Sequence, residues 1–244
     1  ASQLVEQHLQ IIGKEKYKRP RSKGMSFGSI FRFLKDLYTR SSEVYMSFGD
    51  PMDVFGNKVD RDGNSFDKFG NKVNMGDYFT FAGELSTNRQ REGVYAKYLG
   101  ENLVDSYRRF NVILSSNVVS FVAFHTFYKE YKPTDLFQFL NLKTSQYEVS
   151  YDLFFENAVL VIDHIKSLAK KEILLLSDES WHNEEKLIRE GFEKLGIYHA
   201  SDILKKTSNG QLLCKNVRLL YFYQNRLIDY GLEDMMGWKK AWQS

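Results

Sequence analysis

The chain has 244 residues, 43% of them hydrophobic, with 19 Phe, 15 Tyr and only three Pro, enough for one generous domain or a domain with an appendage. That composition excludes a low-complexity or disordered chain, and the single cysteine, Cys214, excludes an internal disulfide. The formal charge is +3, yet residues 14–23 alone hold six cations and one anion, so the rest of the chain is net acidic.

Cys/His zinc spacing is absent, and a reducing, cytoplasm-facing setting is the default. No apolar run approaches the roughly 18 residues of a membrane span; the best, near Val118–Phe124 and Ala158–Ile162, are short. The opening Ala-Ser-Gln-Leu-Val has no signal-peptide pattern and no initiator Met, which suits a segment from the interior of a longer protein.

In chain order, residues 1–12 read as the end of a helix, with Leu4, His8, Ile11 and Ile12 on one side. After the basic stretch, Phe27, Ile30, Phe31, Leu34, Leu37 and Tyr38 recur at helical spacing, which predicts an amphipathic helix over 25–40. Glu43–Phe48 then alternates with period two and predicts a strand ended by Gly49-Asp50-Pro51. Asp53-Val-Phe-Gly-Asn-Lys-Val59 recurs fourteen residues later as Asp67-Lys-Phe-Gly-Asn-Lys-Val73. Each copy sets Gly-Asn between β-prone pieces and Asp62-Gly63-Asn64 supplies a turn between them, so a small β-meander is expected, inserted over 52–85.

From Asn88 the pattern is helical. Val94, Tyr98, Leu103, Tyr107 and Phe110 mark one long helix, and Val118 through Tyr128 a second. Pro133-Thr134-Asp135 opens a short third, with Thr134 as its expected cap. Helices over 150–171 and 183–195 follow, the latter packing through Leu187, Phe192 and Leu195. Ile203–Lys215 reads as a hairpin turning at Asn209-Gly210. Asn216 caps a last helix that puts Val217, Leu220, Tyr221, Gln224 and Ile228 on one face, with Gly231 as its stop.

Acyl transfer from a thioester to a hydroxyl needs a general base, commonly oriented by a carboxylate. A His-x-x-x-x-Asp spacing supplies that pair in acyltransferases, and each histidine can be held against it. The fifth residue on is Gly13 after His8, Glu130 after His125, Ala169 after His164, Leu187 after His182 and Leu204 after His199. None fits; His125 with Glu130 comes nearest, on an apolar helix where the histidine is expected to pack. Ser177-Asp178 with His182 lacks a nucleophile elbow and reads as a loop. Asp60-x-Asp62-x-Asn64 resembles a calcium loop only faintly, with Gly63 two places early and Asn71 at the twelfth position, and reads as a turn. No phosphate-cradling glycine loop, cofactor pattern or metal-ligand set is found.

The basic segment carries the functional expectation. Lys14, Lys16, Lys18, Arg19, Arg21 and Lys23 are candidates to bind anionic lipid or phosphate, and Phe27, Phe31 and Phe33 to insert into a bilayer surface. The alternative is a solvated loop beside a core-facing helix.

Tyr45-Met-Ser-Phe-Gly-Asp-Pro51 resembles the Tyr-Val-x-Phe-Gly-Glu-Pro stretch of bacterial glycerol-3-phosphate and dihydroxyacetone-phosphate acyltransferases, with Asp50 in place of Glu. Gly13-Lys14-Glu15-Lys16 is similar to the family's charged segment ahead of it. Asn111–Phe124 is similar to its helix of small and apolar residues, and Tyr223-Gln-Asn-Arg-Leu227 to its Tyr-Arg-Asn-Asn-Ile, differing at three positions. The family's His-x-x-x-x-Asp, its arginine-containing acceptor block and its Glu-Gly-x-Arg-Ser block have no match here, so no catalytic residue is carried over.

The resemblance implies that this is the C-terminal part of a glycerol-phosphate O-acyltransferase, itself without a catalytic site or cofactor, peripheral at the cytoplasmic face of a membrane. Its partners would be an upstream catalytic domain and an anionic membrane surface, with acyl thioester and glycerol phosphate as the parent's substrates and no nucleic acid. The expected fold is α+β, mainly α: a tail of the catalytic domain over 1–51 with an edge strand, the β insertion over 52–85, and a helical domain with one hairpin over 86–244. A competing expectation is a winged-helix or helical interaction module without activity. Its recognition helix, 183–194, would be acidic, which repels phosphate.

Overall fold

The computed structural model describes residues 45–142, 147–177, 179–197, 199 and 202–238. The helices expected over 1–12 and 25–40 and the basic segment between them lie outside the described residues. Within these bounds the chain is α+β and mainly helical.

In chain order the elements begin with strands β1 (Lys58–Val59), β2 (Ser65–Phe66), β3 (Lys72–Val73), β4 (Thr80–Phe81) and β5 (Glu84–Leu85). Next come α1 (Arg89–Arg109), β6 (Val112–Ile113), α2 (Ser115–Tyr131), α3 (Leu136–Leu140), β7 (Glu148–Ser150) and α4 (Tyr151–Lys170). The order closes with β8 (Leu175–Leu176), α5 (Glu184–Lys194), β9 (Leu204–Lys206), β10 (Gln211–Cys214), α6 (Val217–Gln224) and α7 (Leu232–Met235). Strands β6 and β8 pair with each other, the Leu175 N–H donating to the Asn111 carbonyl at 3.0 Å. Among the described residues no helix is long and apolar enough to cross a membrane. The described chain divides into two compact units, 46–112 with 169–175 and 113–168 with 176–238.

The first unit is built on a repeat of seven residues. Asp53–Val59, Asp60–Phe66 and Asp67–Val73 each open with an aspartate whose Oδ1 accepts the N–H groups two and four residues on. Its Oδ2 accepts the Asn side chain four residues on. Gly56, Gly63 and Gly70 take φ of +86°, +81° and +84° at the same place in each turn, a region glycine enters without steric cost. The result is the antiparallel meander β1-β2-β3. Its period is seven; the fourteen-residue spacing skips a middle copy whose Asp62 and Ser65 disguise it.

A ring cluster ties the first repeat to Tyr78 and α1: Phe55 stacks on Tyr78 at 4.3 Å between centroids, and both meet Tyr95 of α1 edge-on. Asn88 caps α1 by accepting from the Gln90 and Arg91 N–H groups. The helix marked by Val94 and Tyr107 is present, yet α1 buries no residue, and Val94 and Tyr107 are exposed. Of the strand expected over Glu43–Phe48, residues 45–48 are described; they lie in no ladder, and Met46 and Phe48 are 78% and 87% exposed.

The second unit is organised around α2. From Ser115 to Tyr128 every residue of this helix is buried, as an all-round apolar helix must be. Helices α5 and α6 pack against it. Asn183 and Asn216 cap those two helices, accepting from the N–H groups of Lys186 and Leu219. Helix α4 turns one stripe inward, Phe154, Ala158, Val161, Ile162, Ile165 and Leu168.

The hairpin β9–β10 turns at Asn209-Gly210, where Gly210 has φ of +78°. It gains a third strand, β7, that the sequence pattern missed, in the order β7-β10-β9. Two caps differ from expectation. Asp135, not Thr134, caps α3, taking the Gln138 N–H at 2.7 Å while Gln138 Oε1 accepts from the Thr134 N–H and hydroxyl. The carboxylate accepts more strongly than a hydroxyl and wins the N-cap position. The last helix ends at Gln224, and Gly231, with φ of +72°, opens α7 instead of stopping α6.

Candidate functional site

Lys14, Lys16, Lys18, Arg19, Arg21 and Lys23, and likewise Phe27, Phe31 and Phe33, lie outside the described residues. Among the described histidines, His182 is exposed and His164 half-buried on α4. His199 is buried with its Nε2 3.0 Å from the Tyr223 hydroxyl. His125 and Glu130 sit five places apart on α2, about 140° around a helix at 3.6 residues per turn, the first buried and the second exposed. They cannot form a base and orienting carboxylate.

His125 has other company. Its ring is stacked on the Trp238 indole, centroids 5.1 Å apart and planes 3° from parallel, and is flanked by Phe121 and Phe124. Glu233 of α7 places Oε1 4.0 Å from Nε2, and both side chains are 1% exposed. Gln224, at the end of α6, is fully buried beside them. Burial pushes the imidazole down to about 3, and the neighbouring Gln224 amide offsets this only in part. The ring is therefore neutral at physiological pH and a weak base. Among the described residues Gln224 and Glu233 are its polar neighbours, but neither ring nitrogen has a hydrogen bond of good geometry.

A cavity of about 350 Å³ opens onto this cluster, lined by His125, Tyr128, Lys129, Lys132, Pro133, Gly237 and Trp238. Its two cations are exposed, and its His and Trp are buried. The larger cleft of the first unit, about 620 Å³, is lined by Lys58, Lys68, Asn102, Ser106 and Arg109 among others. Arg109 there is held between Asp50 at 3.7 Å and Glu172 at 3.5 Å. Both pairs are solvent-exposed and contribute little, and the cleft's three cations, Lys58, Lys68 and Arg109, are matched in number by Asp50, Asp67 and Asp105 along its wall, so it offers no net charge to a ligand.

Cys214 is buried on β10, its thiol pushed up to about 12 by burial, and is inert as a nucleophile at neutral pH. Ser177 Oγ accepts from the Trp181 indole N–H at 3.4 Å. Asp60 accepts backbone and Asn64 side-chain hydrogens, the turn expected there. Among the described residues no cluster of His, Cys, Asp and Glu is set to hold a metal ion.

Sequence reading missed Glu233 and Trp238, which meet His125 only through the fold. Gln224 did carry a signal: it is the one strongly polar residue on the apolar face of its helix. Comparison with protein-family models, with curated proteins and with solved structures finds no match.

Proposed function

We propose that this chain is the C-terminal part of a glycerol-phosphate O-acyltransferase, transferring an acyl chain from a thioester to a glycerol phosphate in phospholipid biosynthesis, with the reacting residues supplied by an upstream domain. One observation carries the reading: Gly13–Lys16, Tyr45–Pro51, Asn111–Phe124 and Tyr223–Leu227 resemble that family's segments and stand in the same order. Two features support it. Tyr45–Phe48 alternates like a strand yet has no ladder among the described residues, and its Met46 and Phe48 are exposed; a sheet edge in a catalytic domain would receive it. Helix α1 buries nothing along 21 residues, and its exposed Val94, Val104 and Tyr107 suit a surface covered by another domain.

The test starts with the natural sequence upstream of Ala1. A His-x-x-x-x-Asp there, and acyl transfer to glycerol 3-phosphate by the longer protein but not by residues 1–244, is the expected result. Absence of both leaves a helical interaction module, which the uncovered α1 also favours.

The same reading places the protein peripherally on an anionic membrane through Lys18, Arg19, Arg21 and Lys23 followed by Phe27, Phe31 and Phe33. Cosedimentation with anionic but not neutral vesicles, weakened by added salt and by changing those four cations to Gln, is the expected outcome. Equal binding to both vesicle types overturns the membrane assignment.

A further inference from the structure

The three copies of the seven-residue repeat share one backbone turn but differ in what meets it. In the first copy Phe55 and Asn57 are buried, 7% and 3% exposed. The Tyr78 ring stacks on Phe55 with centroids 4.3 Å apart and planes 12° from parallel, and Phe79 and Tyr95 meet Phe55 edge-on. Asn57 Nδ2 donates to the Tyr78 hydroxyl at 3.1 Å and also to Asp53 at 3.0 Å. The first copy is thus a receptor for a tyrosine side chain: a ring to stack on and an amide to hold the hydroxyl.

The third copy repeats those parts and leaves them uncovered. Asp67 holds its turn as Asp53 does, and Phe69, Gly70 and Asn71 stand at the places of Phe55, Gly56 and Asn57. Phe69 is 78% exposed, and its one ring contact among the described residues is the Lys68 ammonium, 5.1 Å from the centroid. A β-carbon on Gly56 would meet Leu99 Cα at 3.1 Å, whereas one on Gly70 would meet nothing within 4 Å. Asn71 gives one amide hydrogen to Asp67 at 3.2 Å. A primary amide carries two, and the second, counterpart of the one Asn57 gives to Tyr78, meets no described residue. The turn itself does not need the ring: the middle copy has Asp62 there and closes with the same hydrogen bonds. Phe69 is also part of the wall of the cleft of about 620 Å³, so space beside it is open.

We propose that the third copy binds a tyrosine side chain of a partner polypeptide, its ring stacked on Phe69 and its hydroxyl held by the Asn71 amide, as Tyr78 is held by the first copy. The occupant is a polypeptide because Tyr78 does not come alone: Phe79 and Tyr95 complete the cover of Phe55. Lys68 stands where the first copy has Val54. An exposed cation at the edge of the site favours a carboxylate beside the incoming tyrosine. The proposal goes beyond the acyltransferase reading and does not depend on it, since it uses only the repeat of the first unit.

The test uses the full chain, labelled with nitrogen-15. The probe is N-acetyl aspartyl-tyrosinamide, and N-acetyl aspartyl-phenylalaninamide, which lacks only the hydroxyl, is its control. The expected result is saturable shifts of the Phe69, Gly70 and Asn71 amides, while those of Phe55, Gly56 and Asn57, already covered, stay in place. One neutral hydrogen bond corresponds to a factor of about five in affinity, so the control should bind about fivefold more weakly. Phe69→Ala, at an exposed position that Asp62 fills in the middle copy, should abolish the shifts of Gly70 and Asn71. Asn71→Ala should erase the difference between the two probes. If Asn71→Ala loosens the turn, read as faster amide exchange at Phe69, the two probes on the native chain decide. Lys68→Gln should weaken both probes alike, by about two- to fivefold.

Shifts at the same amides that grow with protein concentration, and that the tyrosine probe displaces, make the partner a second copy of this chain; saturable shifts with the probe alone make it a different polypeptide. The proposal is overturned if no shift saturates at Phe69, Gly70 and Asn71, if the native chain binds both probes equally, or if Phe69→Ala binds the tyrosine probe as tightly as the native chain.

Discussion

Gly191 of α5 lies against Ser115 of α2 so closely that a β-carbon on Gly191 would stand 2.7 Å from the Ser115 carbonyl oxygen and 2.4 Å from Val119 Cγ2. The two helices approach at this point because one of them has no side chain there. Gly191→Ala is expected to destabilise the chain by about 1–3 kcal/mol, the range for an overpacked core. Urea unfolding measures it. Adding Val119→Ala should restore only part of the loss, because the carbonyl contact remains.

The three repeat aspartates give a second prediction. Burial pushes Asp53 up, but hydrogen bonds from Asn57, Ser65 and backbone N–H groups outweigh it, and the carboxyl is held below its ordinary 3.8. Asn64 lowers Asp60 in the same way, and the Asn71 N–H lowers Asp67. A carboxylate depressed in the folded state contributes stability above its unfolded value and loses it as pH falls through the folded one. The meander should therefore loosen only below about pH 3.8. Amide exchange at Phe55, Asp62 and Phe69 reports it; protection lost already at pH 5 would contradict it. At pH 7, Asp60→Asn should protect the Asp62 amide less than the native residue and more than Asp60→Ala.

His125 sets a pH dependence at milder acidity. It falls from the ordinary 6.5 to about 3 on burial, so between those values the unfolded chain takes up a proton that the native chain refuses. Its contribution is complete above pH 6.5 and lost progressively on the way down to about pH 3. The slope from this one group is at most about 1.4 kcal/mol per pH unit. Denaturation midpoints from pH 7 to 4 should fall less steeply in His125→Phe than in the native chain. An unchanged slope would show that the ring takes up its proton at the same pH folded as unfolded, against the depression that its burial causes here.

Cys214 is expected to be silent. With its thiol buried and pushed up to about 12, it should resist an aromatic disulfide reagent at pH 8 in the native chain. It should react stoichiometrically once unfolded. Fast native labelling would mean that β10 opens readily, since Cys214 sits on the middle strand of its sheet.

Lys132 occupies the left-handed region, φ +45°, at the end of α2. Glycine is the residue that usually ends a helix there, and Lys132→Gly should raise stability by about 0.5–1 kcal/mol. Urea unfolding of the variant measures the gain, and a loss of stability would contradict it.

Much of the fold was legible because local chemistry decides it. Asn88, Asn183 and Asn216 announce three helices through one mechanism, a short side chain that accepts from the first turn. Asn209-Gly210 announces the hairpin through the positive φ of Gly210. Strand β7 was hidden because three residues show no period, and it exists only because β10 presents a free edge to Glu148–Ser150. The exposure of α1 was not legible for a related reason: the spacing of Val94, Tyr98, Leu103, Tyr107 and Phe110 marks a helix, not whether anything covers it. The His125 site was invisible for the same kind of cause. Glu233 and Trp238 are more than a hundred residues from His125 in sequence, and nothing local requires them to meet.

The seven-residue repeat also limits how the gene can change length. Each copy folds by its own aspartate and reverses the chain once, since β1-β2-β3 are antiparallel neighbours. Loss or duplication of one copy would send the chain out at the opposite end of the meander, away from Tyr78 and the start of α1. Loss or duplication of two copies would restore the direction of exit. Fourteen residues, the distance between its two most similar copies, is thus the smallest step by which replication slippage can lengthen or shorten this segment and leave its exit unmoved.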